Sequence, residues 1–221
     1  MSDKYNKVFS IGFQKTGTSS LMWALKELGF NVCDGCGHAM NPNIAEEVFD
    51  ICDELAEQYD AFEDHPWSLL YKRMDEKYPN SKFILTVRET EQWIKSVRSH
   101  FGESYIPLHE WIYGKGSPKG NEQLYIDRYE KHNAEVLDYF KDRPNDLLVI
   151  DFSQKRTDKQ LWNDLCNFLD KPIPNVKKFP YSNSTKDRVL INKLRRIKHR
   201  VYGKKPIKVF GFQIGKDYSQ Y

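Results

Sequence analysis

No stretch of this 221-residue chain approaches the roughly 18 to 20 apolar side chains that a membrane-spanning helix needs. The opening segment Met1-Ser2-Asp3-Lys4-Tyr5-Asn6-Lys7 has no apolar core of the kind a secretory leader carries. The expectation is therefore a soluble, cytoplasmic protein with no transmembrane segment. Pro/Gly/Ser-rich linkers are absent as well, which leads us to expect one domain over residues 1–221, with a basic C-terminal segment at about 186–221. Cysteine is scarce, at four residues. Cys33-Asp34-Gly35-Cys36-Gly37-His38 has the C-x-x-C spacing of a zinc or redox site, but no second pair and no spaced His pair completes a four-ligand set. We expect no metal, with Cys33 and Cys36 as reduced thiols in a loop and a redox-sensitive pair as the other reading. Cys52 and Cys166 lie in apolar helical contexts and read as small hydrophobes.

What the chain does have is an apolar share of 39%, including 14% aromatic residues, enough for a core, beneath a very polar surface with 29% charged residues. Positive charge gathers at one end. From Lys186 to Lys208 there are ten Lys/Arg and one Asp in a chain of formal net charge +3, so the remainder is net acidic. That segment reads as a contact for a polyanionic ligand, as a solvated helix face, or as a nucleic-acid or membrane surface. Nucleic acid is not the partner we expect.

The most informative stretch is Val8-Phe9-Ser10-Ile11-Gly12-Phe13-Gln14-Lys15-Thr16-Gly17-Thr18-Ser19-Ser20-Leu21. An apolar, β-prone run breaks into a turn of Gly, Lys and hydroxyl residues, then resumes at helical spacing through Leu21, Leu25 and Leu28. Free N–H groups at the start of such a helix, at the positive end of its dipole, hold phosphate or sulfate oxygens. A nucleoside-triphosphate loop, G-x-x-x-x-G-K-[ST], puts its lysine directly after the second glycine. Here Gly12 and Gly17 keep the glycine spacing, but Thr18 and Ser19 follow, and the lysine has moved inside the loop as Lys15. A second motif lies far along the chain. Lys82-Phe83-Ile84-Leu85-Thr86-Val87 reads as a buried strand and ends in Arg88, and eight residues later Ser96 falls in a helical segment, Glu91 to His100. Arg offers phosphate a planar fork and Ser a neutral donor. A plainer role for Arg88 is an ion pair with Glu89 or Glu91.

Together these motifs resemble the sulfotransferases that use 3′-phosphoadenosine 5′-phosphosulfate as donor. The resemblance implies that the loop Gln14, Lys15, Thr16, Gly17, Thr18, Ser19 and Ser20 holds the 5′-phosphosulfate. Lys15 would then sit near the bridging oxygen, with Arg88 and Ser96 gripping the 3′-phosphate. It extends through Tyr129-Glu130-Lys131-His132-Asn133-Ala134-Glu135-Val136, Leu147 to Asp151, Phe168-Leu169, Phe179-Pro180 and Asn183, covering roughly residues 7 to 185. The C-terminal segment after Asp187 falls outside it.

Transfer needs a base, and the candidates lie in Phe62-Glu63-Asp64-His65-Pro66-Trp67. Cytosolic sulfotransferases use a His before an apolar-Leu-Leu stretch, which His65 resembles. Heparan-type enzymes use a Glu, which points to Glu63. A further branch of poorly known acceptor has Asp-x-Pro, and Asp64-His65-Pro66 is most similar to that. We take Asp64 as the base, with His65 next; a His near neutral pKa suits the task, whereas an Asp needs burial to raise its pKa. A helix N-cap before Trp67 is the plainer role for Glu63 or Asp64.

A coarse pass predicts strands at Lys7–Phe13, Phe30–Cys33, Tyr59–Glu63, Lys82–Val87 and Leu147–Asp151. Helices are predicted at Ser19–Leu28, from Pro42 through Leu55, and at Ser68–Lys77, Glu91–His100, Gln123–Phe140 and Lys159–Leu169. Phe101 to Gly120 reads as a loop or lid, with Trp67, Tyr105, Trp111 and Tyr113 as candidate pocket aromatics. The alternation predicts an α/β fold, a three-layer parallel sheet with helices on both faces, P-loop-like by the resemblance, with ligands at the carboxyl ends of the strands. The implied reaction is in-line sulfuryl transfer to a hydroxyl or amine of a small-molecule or carbohydrate acceptor, leaving adenosine 3′,5′-bisphosphate. A P-loop kinase of small molecules or nucleosides and a noncatalytic nucleotide-binding protein are the other readings.

Overall fold

The computed structural model describes residues 6–176 and 178–181, together with the backbone of Lys208–Val209 and Phe212–Gln213. The chain divides into two compact units, Met1–Ser182 and Asn183–Tyr221. In the second, Lys208–Val209 and Phe212–Gln213 pair as antiparallel strands. Apart from those strands, the basic C-terminal segment singled out in the sequence lies outside the described residues.

The first unit runs β1 (Val8–Ser10), α1 (Thr18–Glu27), β2 (Val32–Asp34), α2 (Ile44–Ala56), β3 (Ala61–Glu63), α3 (Tyr71–Lys77), β4 (Lys82–Val87), α4 (Thr90–Phe101), α5 (Pro107–Tyr113), α6 (Glu122–Tyr139), β5 (Leu147–Asp151) and α7 (Asp158–Leu169). A single 3-10 turn, Trp67–Leu69, precedes α3. The five strands form one sheet in the order β2-β3-β1-β4-β5, every neighbouring pair parallel. Period-two alternation sends successive side chains to opposite faces. Phe9, Phe62, Phe83 and Leu85 pack beneath α2 to α6, while Val8, Ala61, Ile84 and Ile150 pack against α1 and α7. The result is three layers, helix on sheet on helix, with two apolar interfaces. Each large side chain fully buried there contributes about 1.5–3 kcal/mol relative to exposure.

Helix ends follow local chemistry. The Glu89 carboxylate caps α4 by accepting from the N–H groups of Glu91 and Gln92, both at 2.9 Å, so Glu89 serves as a cap rather than in the plainer role of an ion-pair partner for Arg88. Thr157 and Gln160 form a reciprocal capping box at the start of α7.

The segment 101–120 is not the irregular loop expected. Pro107 occupies the first turn of α5 and Gly114 closes it in the left-handed conformation, so residues that read as loop formers are the helix's own boundaries. The first strand is also shorter than expected, ending at Ser10. Ile11 to Phe13 nevertheless stay fully buried as the chain leaves the sheet toward the loop.

From β1 the chain crosses to β2 on one side, returns through β3, and continues with β4 on the other side of β1. That is the point at which open α/β sheets bind ligands. Gly12 sits there under a steric demand, since a Cβ at this position would lie 2.0 Å from Thr86 Oγ1 and 2.5 Å from the Thr86 carbonyl oxygen.

Candidate active site

The loop after β1 is held from all sides. Thr16 Oγ1 donates to the Phe13 carbonyl at 2.6 Å and lies 2.6 Å from Thr86 Oγ1. Gln14 takes Trp93 Nε1–H on its carbonyl at 2.8 Å. Arg88 Nη1 donates to the Lys15 carbonyl at 3.3 Å. Lys15 itself has φ 68°, a left-handed conformation unusual for any residue but Gly, Asn or Asp. Gly17, with φ 111°, starts α1, and a Cβ there would lie 2.4 Å from the Phe152 ring. Thr18, Ser19 and Ser20 supply the first turn of α1, which contains no acidic residue of its own. Side chains are excluded from the loop at Gly12 by Thr86 and at Gly17 by the Phe152 ring, and the loop leads into a helix N-terminus, a geometry suited to an anion.

Arg88 leaves β4 with its peptide bracketed by Tyr129: its N–H donates to the phenolic oxygen at 2.9 Å and its carbonyl accepts from the phenol at 2.8 Å. Arg88 Nε is buried without a hydrogen-bond partner. A buried guanidinium donor left unpaired next to the Lys15 loop fits a phosphate group. Ser96 lies half-buried two turns into α4.

The base candidates separate clearly. Asp64 has φ 67°, and its Oδ1 accepts from the N–H of His65 at 2.9 Å. Burial pushes its carboxyl up to about 6; the His65 N–H opposes the shift, the Asp34 charge adds to it, and Lys15 opposes it. Lys15 and Asp64 therefore act on each other electrostatically.

Glu63 is fully buried. Burial, with the charges of Asp64 and Asp34 behind it, holds its carboxyl well above the usual range, against a hydrogen bond from Thr18. His65 is buried with both ring nitrogens engaged, Nδ1 with Ser68 Oγ at 2.5 Å and Nε2 with Tyr113 OH at 3.3 Å. Burial, then the fields of His109, His132 and Arg128, holds it well below its ordinary value. Neither Glu63 nor Asp64 caps the turn at Trp67, whose N-cap is Pro66 with no side-chain bond.

Several expectations about neighbours change. Trp67 is fully buried, with Nε1–H on the Gly35 carbonyl at 2.9 Å, so it is core. Tyr113 is buried on α5 and bonded to Gln14, while Tyr105 is exposed. Cys33 belongs to β2, not to a loop, and both it and Cys36 are buried free thiols in the core; burial pushes Cys33 up to about 12. Among the described residues no group of three or more His, Cys, Asp or Glu is placed to hold a metal ion. Thr86, Trp93 and Tyr129 were missed as supports of the site. Thr86 had one available signal, as a lone hydroxyl inside the apolar run Phe83 to Val87.

His109 and His132, buried with His65, sit at about 4, burial being the main cause in each. Their folded pKa values lie below the ordinary 6.5, so the unfolded chain takes up protons that the folded chain refuses as pH falls from 6.5 toward 4. Asp64 and Glu63 shift the other way and oppose this loss, but three imidazoles outnumber two carboxyls. The thermal midpoint is expected to fall between pH 6.5 and 4. A midpoint level or rising across that window in calorimetry would contradict buried neutral imidazoles.

The family model described as the sulfotransferase domain matches residues 7–188, and the chain belongs to that family. Its relatives include Ava biosynthesis cluster protein M of Aspergillus versicolor, 26% identical over 217 aligned residues covering 79% of this chain and 80% of the relative. The protein is thus a sulfotransferase, a transferase enzyme with the three-layer α/β fold. Among the described residues no helix is long and apolar enough to cross a membrane.

Proposed function

We propose that the protein transfers a sulfuryl group from 3′-phosphoadenosine 5′-phosphosulfate to a hydroxyl or amine of a small-molecule or carbohydrate acceptor. The observation that carries this reading is the placement of Lys15 and Asp64, within electrostatic reach of one another at the carboxyl ends of the adjacent strands β1 and β3. An anion cradle on one side and a carboxylate poised at about 6 on the other suit a donor and a nucleophile that meet between them.

In this scheme the acceptor proton passes to Asp64 and the acceptor oxygen or nitrogen forms the new bond to sulfur. The bridging S–O bond of the donor breaks, and adenosine 3′,5′-bisphosphate departs. Lys15 and the first-turn amides of α1 face the charge that builds on the bridging oxygen. The side chain of Gln14 is turned to Tyr113, so within the loop it supports the cradle's shape. His65, with both nitrogens engaged, suits a supporting role beside Asp64. Arg88, with its orphaned Nε, suits the 3′-phosphate together with Ser96.

Titration calorimetry with adenosine 3′,5′-bisphosphate, run beside magnesium-ATP, tests the donor assignment. We expect micromolar binding of the bisphosphate and no response to ATP; a preference for magnesium-ATP would replace this reading with a kinase. Arg88→Ala should weaken bisphosphate binding about 10- to 100-fold, the scale of hydrogen bonds to a charged group. Unchanged affinity would remove Arg88 from the site.

A further inference from the structure

Two residues that are not glycine adopt nearly the same left-handed backbone in this site, Lys15 at φ 68° and Asp64 at φ 67°, on two separate loops. Such conformations persist only where surrounding contacts over-determine them. The residues beside them, Gln14 and His65, meet at a single group. Tyr113 OH accepts from Gln14 Nε2 at 2.8 Å, lies 3.0 Å from Gln14 Oε1, and lies 3.3 Å from His65 Nε2.

One proton arrangement satisfies every member. Ser68 donates to His65 Nδ1, His65 Nε2–H donates to Tyr113 oxygen, and Tyr113 O–H donates to Gln14 Oε1. The Gln14 amide N–H returns to the second lone pair of the phenol. All four side chains are buried, so no water competes for these bonds. The chain of bonds runs from the base segment to the donor loop through one hydroxyl, and that hydroxyl belongs to a third element, α5. Tyr113 is anchored in turn by its ring, stacked on Tyr125 at 3.7 Å and edge-on to Phe13 at 5.9 Å.

We propose that Tyr113 is a positioning residue whose hydroxyl locks the Lys15 loop and the Asp64 segment to each other, so that the two reacting sides of the site keep one fixed separation. The proposal rests on the sulfotransferase reading for its chemical meaning, but the lock itself is a property of the fold.

Tyr113→Phe deletes the hydroxyl and keeps the ring, so packing on Phe13 and Tyr125 is retained. Amide hydrogen exchange read by mass spectrometry should then accelerate together at residues 14–18 and 64–67. The expected change is on the order of tenfold at both, the effect of one buried hydrogen bond lost. Leu165→Val, a core change against the other face of the sheet, supplies a control of general destabilisation that should leave both segments alike to wild type. Acceleration in only one segment, in neither, or equally in the control would overturn the proposal. Should Tyr113→Phe not fold, Gln14→Met cuts the same tie from its other end, and the same paired acceleration is required of it. Calorimetry with adenosine 3′,5′-bisphosphate keeps the two ideas apart. Wild-type protein that fails to bind it sinks the donor assignment, whereas the exchange result decides the lock.

Discussion

Asp64→Asn is expected to reduce sulfuryl transfer by about 10²- to 10⁴-fold, the contribution of a positioned general base, while leaving bisphosphate affinity close to wild type. The substitution is a clean one on physical grounds. Asparagine is nearly isosteric, accepts the His65 N–H as the carboxylate does, and tolerates the left-handed backbone at least as well. It also removes a charge that burial disfavours, so the thermal midpoint at pH 7 should hold or rise. Loss of activity with no loss of stability therefore separates a missing base from a damaged fold.

If Asp64 is the base, as proposed, the same residue should set the pH profile. With the carboxyl near 6, well above its ordinary 3.8, the competent ionised form is lost as pH falls. The rate at low acceptor should drop about tenfold per pH unit below that value and level off above it. The measurement is release of adenosine 3′,5′-bisphosphate from the donor in the presence of an accepted phenol or sugar. A profile flat from pH 5 to 7, or Asp64→Asn with near wild-type turnover, would transfer the role to another group.

Much of this fold is legible in the amino-acid sequence, for particular physical reasons. Nearly continuous apolar runs at Lys82–Val87 and Leu147–Asp151 match β4 and β5 to the residue, because short runs rich in β-branched and aliphatic side chains and bounded by turn residues fit a strand better than a helix. The glycine spacing of the loop was legible because Gly12 and Gly17 answer steric demands, one from Thr86 and one from Phe152. The sequence favours Asp64, with His65 next, through the resemblance of Asp64-His65-Pro66, but it carries no physical ground for ranking Glu63, Asp64 and His65. Three adjacent titratable side chains are equivalent in one dimension, and only burial, the Ser68 and Tyr113 bonds to His65, and the nearness of Lys15 to Asp64 distinguish them. Helix α5 escaped notice for a related reason. At seven residues between a Pro and a Gly, its periodicity is too short to outweigh its caps. Tyr113 then passed for a pocket aromatic, although its hydroxyl serves residues distant in sequence by 99 and 48 positions.

Lys15→Ala should lower turnover about 10²- to 10³-fold, the cost of removing one preorganised donor at developing negative charge, and should change bisphosphate affinity only slightly. The asymmetry follows from where the lysine acts. The bridging oxygen gains charge as the S–O bond breaks, whereas the bisphosphate product carries no sulfuryl group, so the interaction belongs mainly to the transition state. The backbone argues for the side chain's importance too. A left-handed φ of 68° is as unfavourable for alanine as for lysine, so the substitution should not tighten or relax the loop by itself.

A second readout ties this variant to Asp64. Lys15 is the cation that opposes the upward shift of the Asp64 carboxyl, and its removal should move the acid limb of the pH profile to higher pH. A Lys15→Ala enzyme that is slow and whose acid limb moves upward would place the lysine between donor and base. Equal loss of affinity and turnover, with an unmoved acid limb, would make it a ground-state anchor for the phosphate.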